Sequence, residues 1–179
     1  MHNCLTLPFD ELLANGFNTR QTDVRPANSV NTAFQLIAVI FQLQSLQQFG
    51  GVSASHIDWT MVPYVRKSFY KQCLDGHRYI LNDGMIKDYT NLEGMSIGDD
   101  YFKGNSPEEM RVYQYALDMT KKEVNQAVEG MYHNLNTLQS RSGNQLPFTS
   151  INYGTCTLPE GRMVNRRSEE RRVGKECRS

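Results

Sequence analysis

Residues 106–138 read SPEEMRVYQYALDMTKKEVNQAVEGMYHNLNTL and form the longest helical pattern in the chain. Ser106 can cap the helix, Pro107 suits its first position, and Glu109 can return a hydrogen bond to the cap. The apolar positions of the stretch then recur at helical spacing, and they are Met110, Val112, Tyr113, Ala116, Leu117, Val124, Val128, Met131 and Leu135. The pattern therefore predicts a helix from Pro107 to about Leu138.

Strands flank the helical part of the chain on both sides. A polar loop over residues 140–145 leads into a stretch that predicts a strand around 148–153. Near the other end, residues 4–7 predict a short strand that Pro8 ends. The order of strand, long helices and strand is typical of two adjacent parallel strands joined by a helical crossover. We therefore predict an α/β fold that is rich in helix.

Two more helices are predicted within this crossover. Residues 28–50 carry apolar side chains over most of the helix circumference, which favours partners on more than one side. The second helix spans about 53–74, and Pro63 should kink or split it. Residues 82–105 are rich in Gly, Asn and Asp, so we expect a long surface loop or β-excursion there.

The composition is that of an ordinary globular protein. The 179 residues are 39% hydrophobic and 21% charged, and their formal net charge is zero, which gives no reason to expect nucleic acid or a membrane surface as a partner. The longest apolar run, residues 36–41, is too short to span a bilayer. The cysteines at 4, 73, 156 and 177 form neither a C-x-x-C pair nor a disulfide scaffold, so we expect a reducing, cytoplasmic setting.

The carboxyl-terminal residues differ from the rest in composition. Residues 165–179 hold six of the 19 basic and three of the 19 acidic side chains, which leaves 13 basic and 16 acidic residues, a charge of −3, in residues 1–164. One interpretation is a basic interaction tail. Residues 167–179 also look like the translated reading frame of a common sequencing-adapter oligonucleotide. We therefore predict a native domain over 1–164 and a non-native tail over 165–179.

Three features are candidates for chemistry on residue type alone. Cys4 lies in the first predicted strand, where a lone cysteine is more often a small buried apolar residue than a reactive thiol. The polar loops at 18–26 and 140–145 carry arginine and precede regular elements, so either could hold a phosphate. Neither has the glycines of a P-loop, and a solvated loop is the simpler interpretation. The four histidines lack the paired spacing of metal ligands, so no metal site is predicted.

Several short motifs, taken in their order along the chain, indicate a protein family, which the three features above do not. The motifs are Asn3-Cys4-Leu5, Leu12–Phe17 (LLANGF), Ser29–Ala33 (SVNTA), Gln48–Gly51 (QFGG), Ile57-Asp58 with Pro63-Tyr64, and Ser140–Thr155 (SRSGNQLPFTSINYGT). Together they resemble the anaerobic (class III) ribonucleoside-triphosphate reductases over essentially all of residues 3–164. The last motif is the most specific, because it resembles the second barrel strand of that family and the loop before it.

The resemblance implies a fold and a radical reaction. Members of the family fold as a ten-stranded α/β barrel, so this chain would supply the first two strands and a long, mostly helical crossover. A glycyl radical, installed by a radical-SAM activating enzyme, passes to a cysteine inside the barrel, and the thiyl radical takes the ribose 3′-hydrogen. Cys4 matches the second cysteine of the family, which supplies reducing hydrogen at the 2′-carbon. Formate is the usual final reductant, although some members use a thiol system.

The resemblance also implies ligand sites and a partner subunit. In the family, the helix after the first strand lies at the homodimer interface, and the dNTP or ATP effector binds at its ends. Arg25 and Lys71 are our candidates for the effector triphosphate. The turn Ser142-Gly143-Asn144 would approach the ribonucleoside triphosphate substrate through its backbone N–H groups.

Neither the thiyl-radical loop nor the glycyl-radical segment of the family is found in this sequence. We therefore predict that the chain alone holds no cofactor and is inactive. We also expect it to fold poorly, because two barrel strands leave open edges and an uncovered helix face. The alternative is a non-catalytic nucleotide-binding or dimerisation module, which would have no need of the Cys4 thiol. A helical α/β domain of another role is a third possibility.

Overall fold

The computed structural model describes residues 5–18, 23–47, 52–81, 95–104, 106–141, 149–151 and 153–176, and helices make up most of them. The helices are α1 (Phe9–Asn15), α2 (Val30–Gln47), α3 (Ile57–Gly76), α4 (Asp100–Lys103), α5 (Pro107–Arg141) and α6 (Pro159–Glu176), and a π-helical segment, His77–Leu81, continues α3. The strands are β1 (Leu5–Thr6), β2 (Phe17–Asn18), β3 (Asp23–Val24), β4 (Val52–Ala54) and β5 (Thr149–Ile151).

Three short parallel strands form the main sheet, in the order β1-β4-β5. The register aligns Leu5 with Val52, and Val52 with Thr149. The two predicted strands are confirmed as parallel, but the prediction that they are adjacent is wrong, because β4 lies between them. At three residues, β4 is too short to produce a local strand pattern. The described residues form this open sheet and no barrel.

Two segments that were predicted as loops hold regular structure. At the predicted polar loop of residues 18–26, β2 and β3 pair antiparallel, with Phe17 opposite Val24 and Asn18 opposite Asp23. Gly16 makes this pairing possible, because its φ is +73° and a Cβ there would collide with the Val24 carbonyl oxygen. In the predicted surface loop, α4 forms a short helix; residues 82–94 lie outside the described residues.

The predicted start of α5 is confirmed. The Oγ of Ser106 accepts a hydrogen bond from the backbone N–H of Glu109 at 3.2 Å, and the helix begins at Pro107. The helix continues to Arg141, three residues beyond the predicted end. Local capping chemistry therefore sets the position of the longest helix.

The helix α3 differs from its prediction at its start and at its proline. It begins at Ile57, because His56 adopts a left-handed backbone conformation with φ at 55°. It then runs through Pro63 without being split. Val62 and Tyr64 on either side are buried, so packing holds the helix in place and offsets the backbone hydrogen bond that proline cannot donate.

The main core lies where α2, α3 and α5 pack together. Phe34 and Ile37 of α2 are fully buried and share one apolar cluster with Met61 of α3 and Met131 of α5. The expectation of an uncovered face on α2 is therefore wrong for most of that face, because α5 covers it. Among the described side chains of α2, Val39 stays exposed, at 39%. No helix in the described ranges is both long enough and apolar enough to cross a bilayer.

The predicted boundary between residues 164 and 165 falls inside α6. Although the sequence after Val164 shows no apolar period, the helix continues to Glu176. Val164 and Ser168 are buried, and Arg167 pairs with Glu129 of α5. Arginine, lysine and glutamate are good helix formers, which accounts for a helix without an apolar stripe. The foreign origin of the tail stays a prediction.

Candidate functional site

The predicted catalytic residue, Cys4, and the predicted substrate-binding turn, Ser142-Gly143-Asn144, lie outside the described part of the chain. Arg25, after β3, and Lys71, on α3, are described, and both are exposed. Both side chains are cations, which only an anion such as a triphosphate could join, so the effector site stays a prediction. Within the same ranges, no three His, Cys, Asp or Glu side chains are grouped as metal ligands would be.

Asp58, in the first turn of α3, is a fully buried carboxylate. Its Oδ1 accepts hydrogen bonds from the backbone N–H groups of Gly154 at 2.8 Å and Trp59 at 3.0 Å. Its Oδ2 accepts one from the backbone N–H of Cys156 at 2.9 Å and one from the side-chain amide of Asn165 at 3.2 Å. One carboxylate thus joins the start of α3, the segment after β5, and α6.

These hydrogen bonds keep the Asp58 carboxylate charged. Burial by itself raises the pKa of Asp58, since it disfavours the ionised form. The hydrogen bonds from Cys156, Asn165 and Gly154 lower the pKa, and together they leave it below the ordinary aspartate value. With four donors on its two oxygens, the carboxylate positions the chain and has no lone pair left for a substrate proton.

The segment after β5 is also held by close packing. A Cβ at Gly154 would lie 2.7 Å from Oδ1 of Asp58 and 2.9 Å from Nδ1 of His56, so only glycine fits against this carboxylate. One residue earlier, the hydroxyl of Tyr153 lies 2.9 Å from the hydroxyl of Tyr132 on α5. The chain after the predicted second barrel strand is therefore fixed from both α3 and α5.

Two cysteines in the described residues, Cys73 and Cys156, are buried. Cys156 packs against Gly161 of α6, where a Cβ would collide with the cysteine side chain. Its backbone is held by Asp58, so this residue acts structurally in the described part of the chain. Cys73 lies in a second apolar cluster with Phe69.

A second buried carboxylate, Glu160, anchors the first turn of α6. Its Oε1 accepts hydrogen bonds from Nε of Arg66 at 2.9 Å and from the backbone N–H of Ile97 at 3.0 Å. Its Oε2 accepts one from Oγ of Ser96 at 3.2 Å. This ion pair joins α6 to α3 and to the segment before α4.

Sequence reasoning did not identify either buried carboxylate as an anchor. Asp58 binds Gly154 across 96 residues, and Glu160 binds Arg66 across 94, so no local spacing could reveal them. The available signal was the resemblance itself, because Asp58 and Gly154 both lie in motifs that carry it. The structure brings these two motifs into direct contact.

Comparison with known proteins identifies a family and several relatives. The family model for anaerobic ribonucleoside-triphosphate reductase matches residues 1–175. The anaerobic ribonucleoside-triphosphate reductase of Salmonella typhimurium is 26% identical over 164 residues, which is 92% of this chain and 19% of that protein. Its counterpart in enterobacteria phage T4 is 24% identical over 171 residues, which is 96% of this chain and 24% of that protein. The chain thus spans about a fifth to a quarter of the length of these curated relatives.

Proposed function

The chain belongs to the anaerobic ribonucleoside-triphosphate reductase family, and from this we propose that it is part of an enzyme that converts ribonucleoside triphosphates to 2′-deoxyribonucleoside triphosphates for DNA synthesis. The observation that carries the proposal is the family match over residues 1–175. The chain by itself is inactive in this proposal, because the longer protein supplies the thiyl-radical and glycyl-radical segments. A radical-SAM activating enzyme installs the glycyl radical.

We assign Cys4 the role of the reducing thiol. After a thiyl radical removes the 3′-hydrogen of the ribose, the 2′-hydroxyl leaves as water and the Cys4 thiol supplies hydrogen to the 2′-carbon. A thiol suits this step because its S–H bond is weak enough to exchange a hydrogen atom with a carbon radical. Formate then supplies the two electrons of the reduction and is oxidised to carbon dioxide, which restores the Cys4 thiol, and the first cysteine returns hydrogen to the 3′-carbon. A thiol system is the alternative reductant.

The register of the sheet supports a common site for Cys4 and the substrate turn. Cys4 directly precedes β1 in the sequence, and the turn Ser142-Gly143-Asn144 precedes β5. Leu5 of β1 and Thr149 of β5 both align with Val52 of β4, and the strands run parallel. The amino-terminal ends of β1 and β5 therefore lie at the same end of the sheet. Two strand spacings separate them by about 10 Å, which is the scale of a nucleoside.

The effector site and the homodimer are further parts of the proposal. Arg25 and Lys71 are exposed, as residues that bind a dNTP or ATP triphosphate must be. For the dimer, α5 already covers most of the apolar face of α2, so the partner subunit would meet the remaining exposed positions such as Val39.

The test is a substitution of Cys4 in the longer protein encoded by the uninterrupted reading frame. We expect Cys4→Ser to abolish deoxyribonucleotide formation while effector binding remains, because serine cannot donate a hydrogen atom to a carbon radical. Cys73→Ser is the matched control, since Cys73 is a buried core thiol and should keep turnover. Turnover by the Cys4→Ser enzyme would rule out Cys4 as the reducing thiol, whereas effector binding without turnover in the wild-type protein would favour the non-catalytic nucleotide-binding module.

A further inference from the structure

A pair of hydroxyl side chains is hydrogen-bonded across the first two strands of the main sheet. Oγ1 of Thr6 in β1 lies 3.2 Å from Oγ of Ser53 in β4, and the register aligns these two residues. Thr6 is exposed and Ser53 is half-buried. Within the described ranges, this hydroxyl pair is therefore accessible from one side of the sheet.

The alternation of side chains places the hydroxyl pair on the face of the sheet opposite the core. Leu7 and Ala54, which directly follow Thr6 and Ser53, are buried in the main apolar cluster. The sheet thus packs one face against the helices and carries the hydroxyl pair on the other. None of the residues of β1, β4 and β5 is charged, so a ligand on this second face would be recognised through neutral hydrogen bonds.

The hydroxyl pair has hydrogen-bonding capacity left for a ligand. Each hydroxyl offers one donor and two acceptor lone pairs, and the bond between Thr6 and Ser53 uses one donor and one lone pair. Among the described residues, one donor and the remaining lone pairs are thus available. A ligand that carries a hydroxyl group matches this surface, because it can both donate to the pair and accept from it.

The hydroxyl pair is also close in sequence to the proposed reducing thiol. Cys4 precedes Thr6 by two residues in the predicted strand at 4–7, and residues two apart in a strand share one face. Two residues advance a strand by about 6.6 Å. A sulfur in contact with the 2′-carbon at about 3.5–4 Å, and a hydrogen bond of about 2.8 Å to the hydroxyl of that carbon, span a distance of this size.

We propose that Thr6 and Ser53 bind the 2′-hydroxyl of the substrate ribose and are specificity-determining residues of the reductase reaction. The hydroxyl that they bind is the group that the reaction removes, so the 2′-deoxy product loses a hydrogen bond that the substrate makes. A site built to bind a hydroxyl discriminates against a ligand that lacks it. The hydroxyl pair therefore favours the substrate over the product in the same site.

This inference rests on the proposed function and extends it to two residues that the family resemblance does not select. Neither Thr6 nor Ser53 belongs to the motifs that carry the resemblance. Their assignment comes from the contact between them, from the buried residues beside them and from their distance along the strand to Cys4.

Steady-state turnover of the activated longer protein, with effector saturating, tests the inference. Thr6→Val keeps the branched shape and removes the hydroxyl, so we expect it to lower kcat/KM for the ribonucleoside triphosphate about fivefold. The inhibition constant of the 2′-deoxy product should stay unchanged, because the product makes no bond to the pair. Ser53→Ala should act in the same direction, and Thr6→Ser, which keeps a hydroxyl, should restore most of kcat/KM. The matched control is Thr157→Val, at an exposed threonine between β5 and α6, and it should behave as wild type does.

The outcomes separate substrate recognition from a structural role and from the reductase proposal. A structural defect would weaken substrate and product alike, so an equal loss for both overturns the inference. An unchanged kcat/KM in Thr6→Val, or a Thr6→Ser variant as impaired as Thr6→Val, also overturns it. In each of these cases wild-type turnover leaves the reductase proposal standing, whereas absence of turnover in the wild-type longer protein overturns both.

Discussion

Replacement of Asp58 by asparagine tests the anchor that joins α3, α6 and the segment after β5. Asparagine has nearly the same shape, but only one of its two terminal atoms accepts hydrogen bonds, so two of the four bonds to the carboxylate are lost. The lost pair is either the N–H groups of Gly154 and Trp59 or the N–H of Cys156 and the Asn165 amide. Hydrogen bonds to a charged group are stronger than neutral ones, so we expect the free energy of unfolding to fall by about 3 kcal/mol.

Urea unfolding of the longer protein that contains this chain, at pH 7 and followed by far-UV circular dichroism, measures this loss. Asp118→Asn is the matched control, because Asp118 is an exposed carboxylate on α5 and its loss should change stability by less than about 0.5 kcal/mol. If Asp58→Asn unfolds with the same free energy as the control, the carboxylate does not hold these elements together and the reasoning fails.

The lowered pKa of Asp58 also predicts that the contribution of this residue to stability depends on pH. The pKa of Asp58 is lower in the folded chain than in the unfolded chain, so its contribution is present above the ordinary aspartate pKa of about 4. The contribution is lost as the pH falls from that value toward the folded pKa. We therefore expect the stability difference between wild type and Asp58→Asn to be constant from pH 6 to 7 and to shrink below about pH 4. An undiminished difference at low pH would contradict the assignment.

The remaining predictions use the same unfolding assay. Gly161→Ala should destabilise the chain by about 2 kcal/mol, because the added Cβ collides with a buried cysteine side chain. Gly130→Ala should stabilise it by about 1 kcal/mol, because Gly130 lies inside α5 with open space around it; a loss there would contradict the helix. Glu160→Gln should destabilise the chain by about 2 kcal/mol, since it leaves the partly exposed Arg66 without its charged partner. The control is Glu108→Gln, at an exposed position, and an equally small change in both variants would refute the buried ion pair.

The parts of the fold that depend on local chemistry could be predicted from the sequence. The serine cap, proline and glutamate at 106–109 fixed where α5 begins, and its helical period identified the buried positions Val112, Ala116, Val124 and Val128. The wide apolar face over 28–50 predicted that this helix has partners on more than one side, and α2 packs against both α3 and α5. Its covering by α5 could not be predicted, because the contact joins two helices distant in sequence.

The parts that depend on distant contacts could not be predicted in this way. The three-residue strand β4 exists because β1 and β5 pair with its two edges, and its own residues are compatible with several local structures. Asp58 likewise gains its role only when Gly154 and Cys156 are brought to it by the fold. The family resemblance compensated in part, because Ile57-Asp58 and the strand before Gly154 are both among its motifs, although it did not predict the contact between them.

The role of Cys4 in reducing the ribose can be tested by a structure of the longer protein with a ribonucleoside triphosphate bound. We predict that the sulfur of Cys4 lies within contact distance of the 2′-carbon, about 3.5–4 Å, with the turn Ser142-Gly143-Asn144 beside the same nucleotide. A Cys4 side chain that points away from the bound sugar, with another residue occupying the space beside the 2′-carbon, would contradict it.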